Sequence, residues 1–213
     1  MIQGNDLSEA SAIITASPDA TAQFNSFNYK QEFYQINDVV KLTLRKTIAK
    51  HTHFAAQLQA VFLVRDFRSS SLNFPVLKVR YYFDRHSLSD NFKSFKKQLS
   101  ENELFLSDVE ALIPINFLSG KMRVTSLEEY LANPDEVNLK FTQAEYLTKI
   151  DKIVPSLSSR ERVCYCQLVE NPDFNYIMCE NCKKWYHYYC VGISDHNESL
   201  SLNFVCRNCQ PVL

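Results

Sequence analysis

A chain of 213 residues and 24.7 kDa, 46% hydrophobic and 22% charged, is long enough for one large domain or two small ones. Its 23 Lys+Arg against 24 Asp+Glu leave a net charge of −1, so no global positive field exists to hold DNA by phosphate neutralisation alone. This composition excludes a disordered chain, a coiled coil and a collagen-like fibre, and three glycines are too few for Gly-rich phosphate loops. No apolar run approaches the roughly 20 residues of a membrane helix. The start, MIQGNDLSEASAII, has neither a basic cluster nor a continuous apolar core, so no secretory signal and an intracellular setting are expected.

Residues 1–28 carry three acids and no base and lack an amphipathic period, which predicts a flexible tail. From 29 to 135 the pattern changes to short runs of β-branched and aromatic residues: VVKLTL, FAAQLQAVFLV, FPVLKVRYYF and KMRVTSL. These predict an all-β, barrel-like domain with irregular connections. LSDNFKSFKKQLSENELF suits a loop or short helix between strands. Its Lys93, Lys96 and Lys97 form a basic face that is either solvated or set against phosphate. His51 and His53 have no third ligand near them in sequence and read as loop histidines.

The order of an early strand, an aromatic-rich strand, NELFLSD at 102–108 and GKMRVTSLEEY at 120–130 resembles a BAH (bromo-adjacent homology) domain. FLSD followed by Gly120-Lys121 is its most specific feature. The resemblance implies a methyl-lysine cage formed by Phe54, Tyr81 and Phe83. Tyr81 and Phe83 share one strand face at period two, as a two-walled cage needs and as a core pair also would. Asp84, Arg85, His86 and Val109 depart from the residues usual in that family.

Between 136 and 160, Phe141, Tyr146, Ile150 and Ile153 approximate helical spacing, and Pro155 with the serines after it supplies a stop. This predicts a short helical linker.

All seven cysteines lie in the last fifty residues: Cys164, Cys166, Cys179, Cys182, Cys190, Cys206 and Cys209. An odd count suits a disulfide framework poorly. With His187 they make eight soft or borderline ligands, enough for two tetrahedral zinc sites. They read CxC, twelve residues, CxxC, four residues, His, two residues, Cys, fifteen residues, CxxC. Each close pair can offer two thiolates to one ion from a tight turn. Two structural zinc ions are therefore the expected cofactors, and they substitute for the core that a unit of about 50 residues is too small to build.

This spacing, together with CENCKKWYHYYCVGI and its Trp185 two residues before His187, resembles the PHD finger. A RING finger is the rival, but its histidine usually comes fourth among the ligands. The resemblance implies a cross-brace, with Cys164, Cys166, His187 and Cys190 on one ion and Cys179, Cys182, Cys206 and Cys209 on the other. It also implies a histone-tail face at 161–213. Trp185 and Tyr176 are walls for a methylammonium, Tyr176-Ile177-Met178 is a strand that an extended peptide can extend, and Glu180 is an acid for an arginine on the tail. Val163 and Glu170 stand where aromatics are common. The carboxylate of Glu170 would favour lower methylation states, which keep an N–H to donate. The four basic and six acidic residues of 161–213 suit a basic tail and argue against sequence-specific DNA binding.

BAH followed by PHD in a short chain is similar to the short plant BAH–PHD chromatin readers. The expected class is mainly β: a barrel-like BAH domain at 29–135, a helical linker at 136–160 and a two-zinc finger at 161–213. The expected function is a nuclear, non-catalytic reader of histone-three tails, working with other chromatin-complex proteins and with no membrane association. The alternatives are a protein–protein adaptor without methyl-lysine reading and a RING-like ubiquitin ligase. No free cysteine, Ser-His-Asp set or carboxylate pair suggests an enzyme.

Overall fold

A computed structural model describes residues 21–43, 55–65, 73–194 and 203–210. These fall into two compact units: residues within Met1–Ser87 and Asn102–Val154, and residues within Leu88–Glu101 and Pro155–Leu213.

The first unit contains, in chain order, strands Thr21–Phe24 (β1), Ser26–Tyr29 (β2), Glu32–Gln35 (β3), Val39–Leu42 (β4), Ala55–Arg65 (β5) and Asn73–Asp84 (β6). Leu104–Pro114 (β7), Leu118–Lys121 (β8), Val124–Thr125 (β9), Lys140–Phe141 (β10), Glu145–Leu147 (β11) and Lys152–Val154 (β12) follow. Eight of these strands share a sheet in the order β12-β11-β7-β6-β5-β4-β8, with β1 also paired to β5. The antiparallel β5, β6 and β7 are its centre, and β11 joins β7 in parallel. Val40, Leu58, Leu77 and Val79 are completely buried in one cluster with Tyr34, Val61 and Ile113. Each such side chain contributes roughly 1.5–3 kcal/mol relative to an exposed one. The mainly β class agrees with the sequence.

The FLSD motif has a distinct structural task. Phe105 is fully buried. The β6–β7 register shifts between Arg80 and Tyr82, and such a bulge leaves ladder groups unpaired. Ser107 repairs it: its Oγ donates to the Tyr81 carbonyl at 2.8 Å and accepts from Val109 N at 3.1 Å, while Arg80 Nε donates to the Ser107 carbonyl. Asp108 accepts from Thr148 N at 2.8 Å and Thr148 Oγ1 at 2.6 Å, holding β11 against β7.

Two stretches differ from expectation. The described part of 1–28 is extended and paired: β1 runs along β5, and β2 forms a hairpin with β3. Residues 1–20 lie outside the described residues. The stretch 136–160 carries β10, β11, β12 and a 3-10 turn at Leu157–Ser159 rather than an α-helix. Its apolar residues fit short alternating runs better than a helical face, since Phe141, Tyr146 and Ile153 are buried while Ile150 is exposed. Asp151, at φ 50°, turns β11 into β12.

The polar segment 88–101 forms a 3-10 turn at Asp90–Phe92 and a single helical turn, Lys93–Lys96 (α1), as the sequence suggests. A second helix, Leu127–Ala132 (α2), begins at an N-cap serine, with Ser126 Oγ accepting from Glu129 N. The second unit adds strands Arg162–Val163 (β13), Leu168–Val169 (β14), Tyr176–Met178 (β15) and Trp185–His187 (β16), paired as β13–β14 and β15–β16. Among the described residues no helix is long and apolar enough to cross a membrane.

Candidate metal centres and peptide-binding face

The eight predicted ligands gather into the two expected sets. Cys164, Cys166, His187 and Cys190 form one, and Cys179, Cys182, Cys206 and Cys209 the other. Within each set the ligand atoms lie within 4.8 Å of one another. Tight turns bring each pair together. Lys183, at φ 56°, lets the chain fold back after Cys182, so that Lys183 N reaches the Cys179 carbonyl and Cys179 N reaches that of Lys184, both at 2.9 Å. Cys164, at φ 68°, and the bond from Cys209 N to the Cys206 carbonyl do the same for two other pairs. These positive-φ residues are not glycines, so the strain has to be held by the surrounding structure.

The donor chemistry fits zinc. His187 Nδ1 lies 3.3 Å from Cys166 Sγ and 3.9 Å from Cys190 Sγ. Burial pushes the imidazole down in pKa, which keeps it neutral as a metal ligand must be. In the other set Cys182 Sγ and Cys206 Sγ are 3.8 Å apart. The Tyr186 hydroxyl holds the Cys206 thiol down at about 6, while the hydrogen bond with Cys206 pushes Cys209 up to about 12. Crowded thiols share protons in this way because adjacent thiolates repel, and a divalent ion relieves that repulsion. With four protein ligands each, either set would close the shell of a zinc ion, which would then stabilise the fold rather than activate a water.

The β15–β16 pair carries the predicted tail-binding residues. Its register sets Tyr176 opposite His187, Ile177 opposite Tyr186 and Met178 opposite Trp185. Directly opposed residues share a face and alternate residues change face. Tyr176, Met178, Trp185 and His187 therefore lie on one face, with Tyr176 and Trp185 as diagonal neighbours. Trp185 is 50% exposed. Ile177 is buried with Tyr186 on the opposite face, so its side chain belongs to the finger's core and not to the tail-binding face expected for it. The period of two, applied from Trp185, would have shown this.

The main-chain pattern decides which edge is open. Tyr188 N donates to the Asn175 carbonyl and Cys179 N to that of Lys184. In an antiparallel pair these bonds bracket Tyr176 and Met178 as non-hydrogen-bonded positions, so their own N–H and C=O groups point away from β16. No described strand pairs with that outer edge of β15.

One side of the Tyr176 ring lies against the His187 ring, with centroids 4.7 Å apart. Burial raises its phenol pKa, with a further contribution from the nearby Glu170 carboxylate. Glu170 is exposed. Glu180 pairs with Lys183 at 3.3 Å across the turn. Sequence reasoning missed Asn171 and Asp173, although Asn-Pro-Asp is a turn signal. Asp173 accepts from Ser100 Oγ at 2.6 Å and from Glu101 N at 2.8 Å, and Asn171 Nδ2 donates to the Gln98 carbonyl at 3.1 Å. These bonds tie 88–101 into the finger unit.

Of the predicted cage in the first unit, Phe54 lies outside the described residues. Phe83 is 7% exposed and meets Tyr146 edge-on at 5.3 Å. Tyr81 packs against the Val40–Leu58–Val79 cluster, and burial raises its pKa.

A family model described as PHD-finger matches residues 164–209. Over 193 residues the chain is 25% identical to the chromatin remodeling protein SHL of Arabidopsis thaliana, covering 89% of this chain and 79% of that one. Over 112 residues it is 32% identical to the chromatin remodeling protein EBS of the same plant, covering 50% and 45%. The chain thus spans less than half the length of EBS. The yeast Rsc2 BAH domain is similar at a TM-score of 0.45 and 14% identity, covering 61% of this chain and 52% of that structure. Residues 164–209, with their two four-ligand sets, thus match the PHD finger in sequence and in ligand arrangement.

Proposed function

We propose that this chain is a nuclear, non-catalytic chromatin reader that binds a histone-three tail through its PHD finger. The tail adds as a strand to the outer edge of β15, and a methylated lysine sits between Tyr176 and Trp185. The observation that carries this reading is the register of β15 and β16, which puts both aromatics on one face beside an edge with outward-pointing backbone groups. A methylammonium keeps its charge but loses donors, so aromatic faces recognise it better than hydrogen bonds do. Glu170 biases the site toward mono- and dimethyl-lysine. The matches to SHL and EBS support a chromatin setting and other chromatin proteins as partners.

The test is calorimetric titration of the zinc-loaded chain with histone-three N-terminal peptides in the four methylation states, for wild type and Trp185→Ala. Binding of a methylated peptide that the variant weakens supports the reading, and no binding of any peptide by wild type overturns it. A second reading, a protein–protein adaptor, draws on the burial of Phe83 and the packing of Tyr81. The finger, where Trp185 is 50% exposed, is the site proposed for methyl-lysine reading.

A further inference from the structure

We propose that the finger has a second binding site, a groove for the backbone of single-stranded nucleic acid. The groove has a volume of about 540 Å³, and its walls include Arg162, Lys183, Lys184, Trp185 and Arg207. Residues 161–213 contain only four Lys and Arg residues, against six acids, and those four are all in this groove. Among the described residues Glu161 is the one acid lining it. The Lys and Arg residues of 161–213 are thus gathered along one groove, although that stretch carries a net charge of −2.

The cations are positioned but not consumed. The Arg207 guanidinium lies over the Tyr165 ring, 4.0 Å from its centroid, and Arg207 N donates to the Tyr165 hydroxyl at 2.9 Å. Stacking leaves the edge of the guanidinium fork available to an anion. Arg162 Nη1 donates to the Gln167 carbonyl at 2.6 Å, one donor of five. Lys183 is held by Glu180 in an exposed pair, which water and salt weaken.

The groove shares Trp185 with the methyl-lysine site but lies on the side of β16 away from the tail edge. Cys164 N donates to the Trp185 carbonyl, so Cys164 lies along the edge of β16 opposite β15. Trp185 stands between the two sites. Cations that follow a backbone beside an exposed aromatic on which a base can stack are the components of a single-strand site. The Lys/Arg set supplies the phosphate contacts, and Trp185 supplies the stacking face.

The experiment is fluorescence anisotropy of a labelled 12-nucleotide oligo-dT titrated with the zinc-loaded full chain, together with histone-peptide titrations. Four phosphate contacts predict a log Kd that rises with log salt at a slope of about 3. Lys184→Ser with Arg207→Ser should weaken oligonucleotide binding at least tenfold while zinc content and peptide affinity stay unchanged. Trp185→Ala should weaken it by about tenfold. Should the double variant lose zinc, Lys184→Glu alone decides. No binding at low salt, a slope below 1, or an equal loss in the control Lys149→Glu/Lys152→Glu overturns the proposal. So does tighter binding of a phosphoserine peptide than of the oligonucleotide.

Discussion

Tyr176 is bonded twice to one residue: its hydroxyl accepts from Asn171 N at 2.9 Å and donates to the Asn171 carbonyl at 3.0 Å. Asn171 is itself buried and reaches Gln98, so the ring beside Trp185 is fixed through a chain of polar contacts that ends in 88–101. Tyr176→Phe removes both bonds but keeps the aromatic face. The finger unit should lose about 1–2 kcal/mol, as two hydrogen bonds are worth, while affinity for a methylated peptide stays within about threefold of wild type. Thermal melts and calorimetric titration check the two halves separately.

Trp185→Ala should lower affinity for a methylated peptide about five- to thirtyfold, which corresponds to roughly 1–2 kcal/mol of cation–π attraction. Zinc content should stay at two, because Trp185 ligates neither ion. Glu170→Tyr should shift preference toward the trimethyl state by replacing a carboxylate acceptor with an apolar wall. Titration with all four methylation states reads both effects, and an unchanged preference would remove Glu170 from the site.

Two zinc ions per chain are expected by metal analysis. Chelation should unfold the unit that contains the finger and leave the eight-stranded sheet, which holds none of the eight ligands. Circular dichroism should then retain a β signal while tryptophan fluorescence changes, since Trp185 is the only tryptophan.

Phe83→Ala should cost about 3–5 kcal/mol, the loss expected for an emptied aromatic core site. Tyr81→Ala should also lower the melting temperature, because its ring packs on the Val40–Leu58–Val79 cluster. A Tyr81→Ala chain that melts like wild type but fails to bind a trimethylated peptide would restore the cage reading for this pair.

Asp108 provides a pH-dependent hold on β11. The Thr148 hydroxyl bond, followed by the Thr148 and Lys149 amides, holds its carboxyl below the usual value. The folded-state pKa is below the unfolded one, so its contribution is complete above the unfolded value and disappears as pH falls through the folded one. The melting temperature of Asp108→Asn should therefore lie below that of wild type at neutral pH and converge with it in strong acid.

The zinc ligands were legible in the sequence because metal coordination dictates spacing directly, and Cys164 to Cys209 need no further context. The strands VVKLTL and FPVLKVRYYF were legible through their composition. The linker was misread because Tyr146, Ile150 and Ile153 stand four and three residues apart, as on one helix face, while the turn at Asp151 breaks that run. The role of FLSD was invisible locally: Ser107 answers a bulge on β6, and Asp108 answers a residue 40 positions away. The pairing of Ser100 with Asp173, at a separation of 73 residues, leaves no periodic trace at all.

The placement of 88–101 has a consequence for how the protein is made and divided. The chain passes from one unit to the other after Ser87, returns at Asn102 and leaves again after Val154. No single cut separates the units intact: a fragment starting at Pro155 lacks the partners of Asn171 and Asp173, and one ending at Val154 keeps a segment deprived of its acceptors. During synthesis Ser100 and Glu101 emerge long before Asp173, so their docking must wait for the metal-binding region. Zinc capture is then a step that finishes the middle of the polypeptide as well as its end.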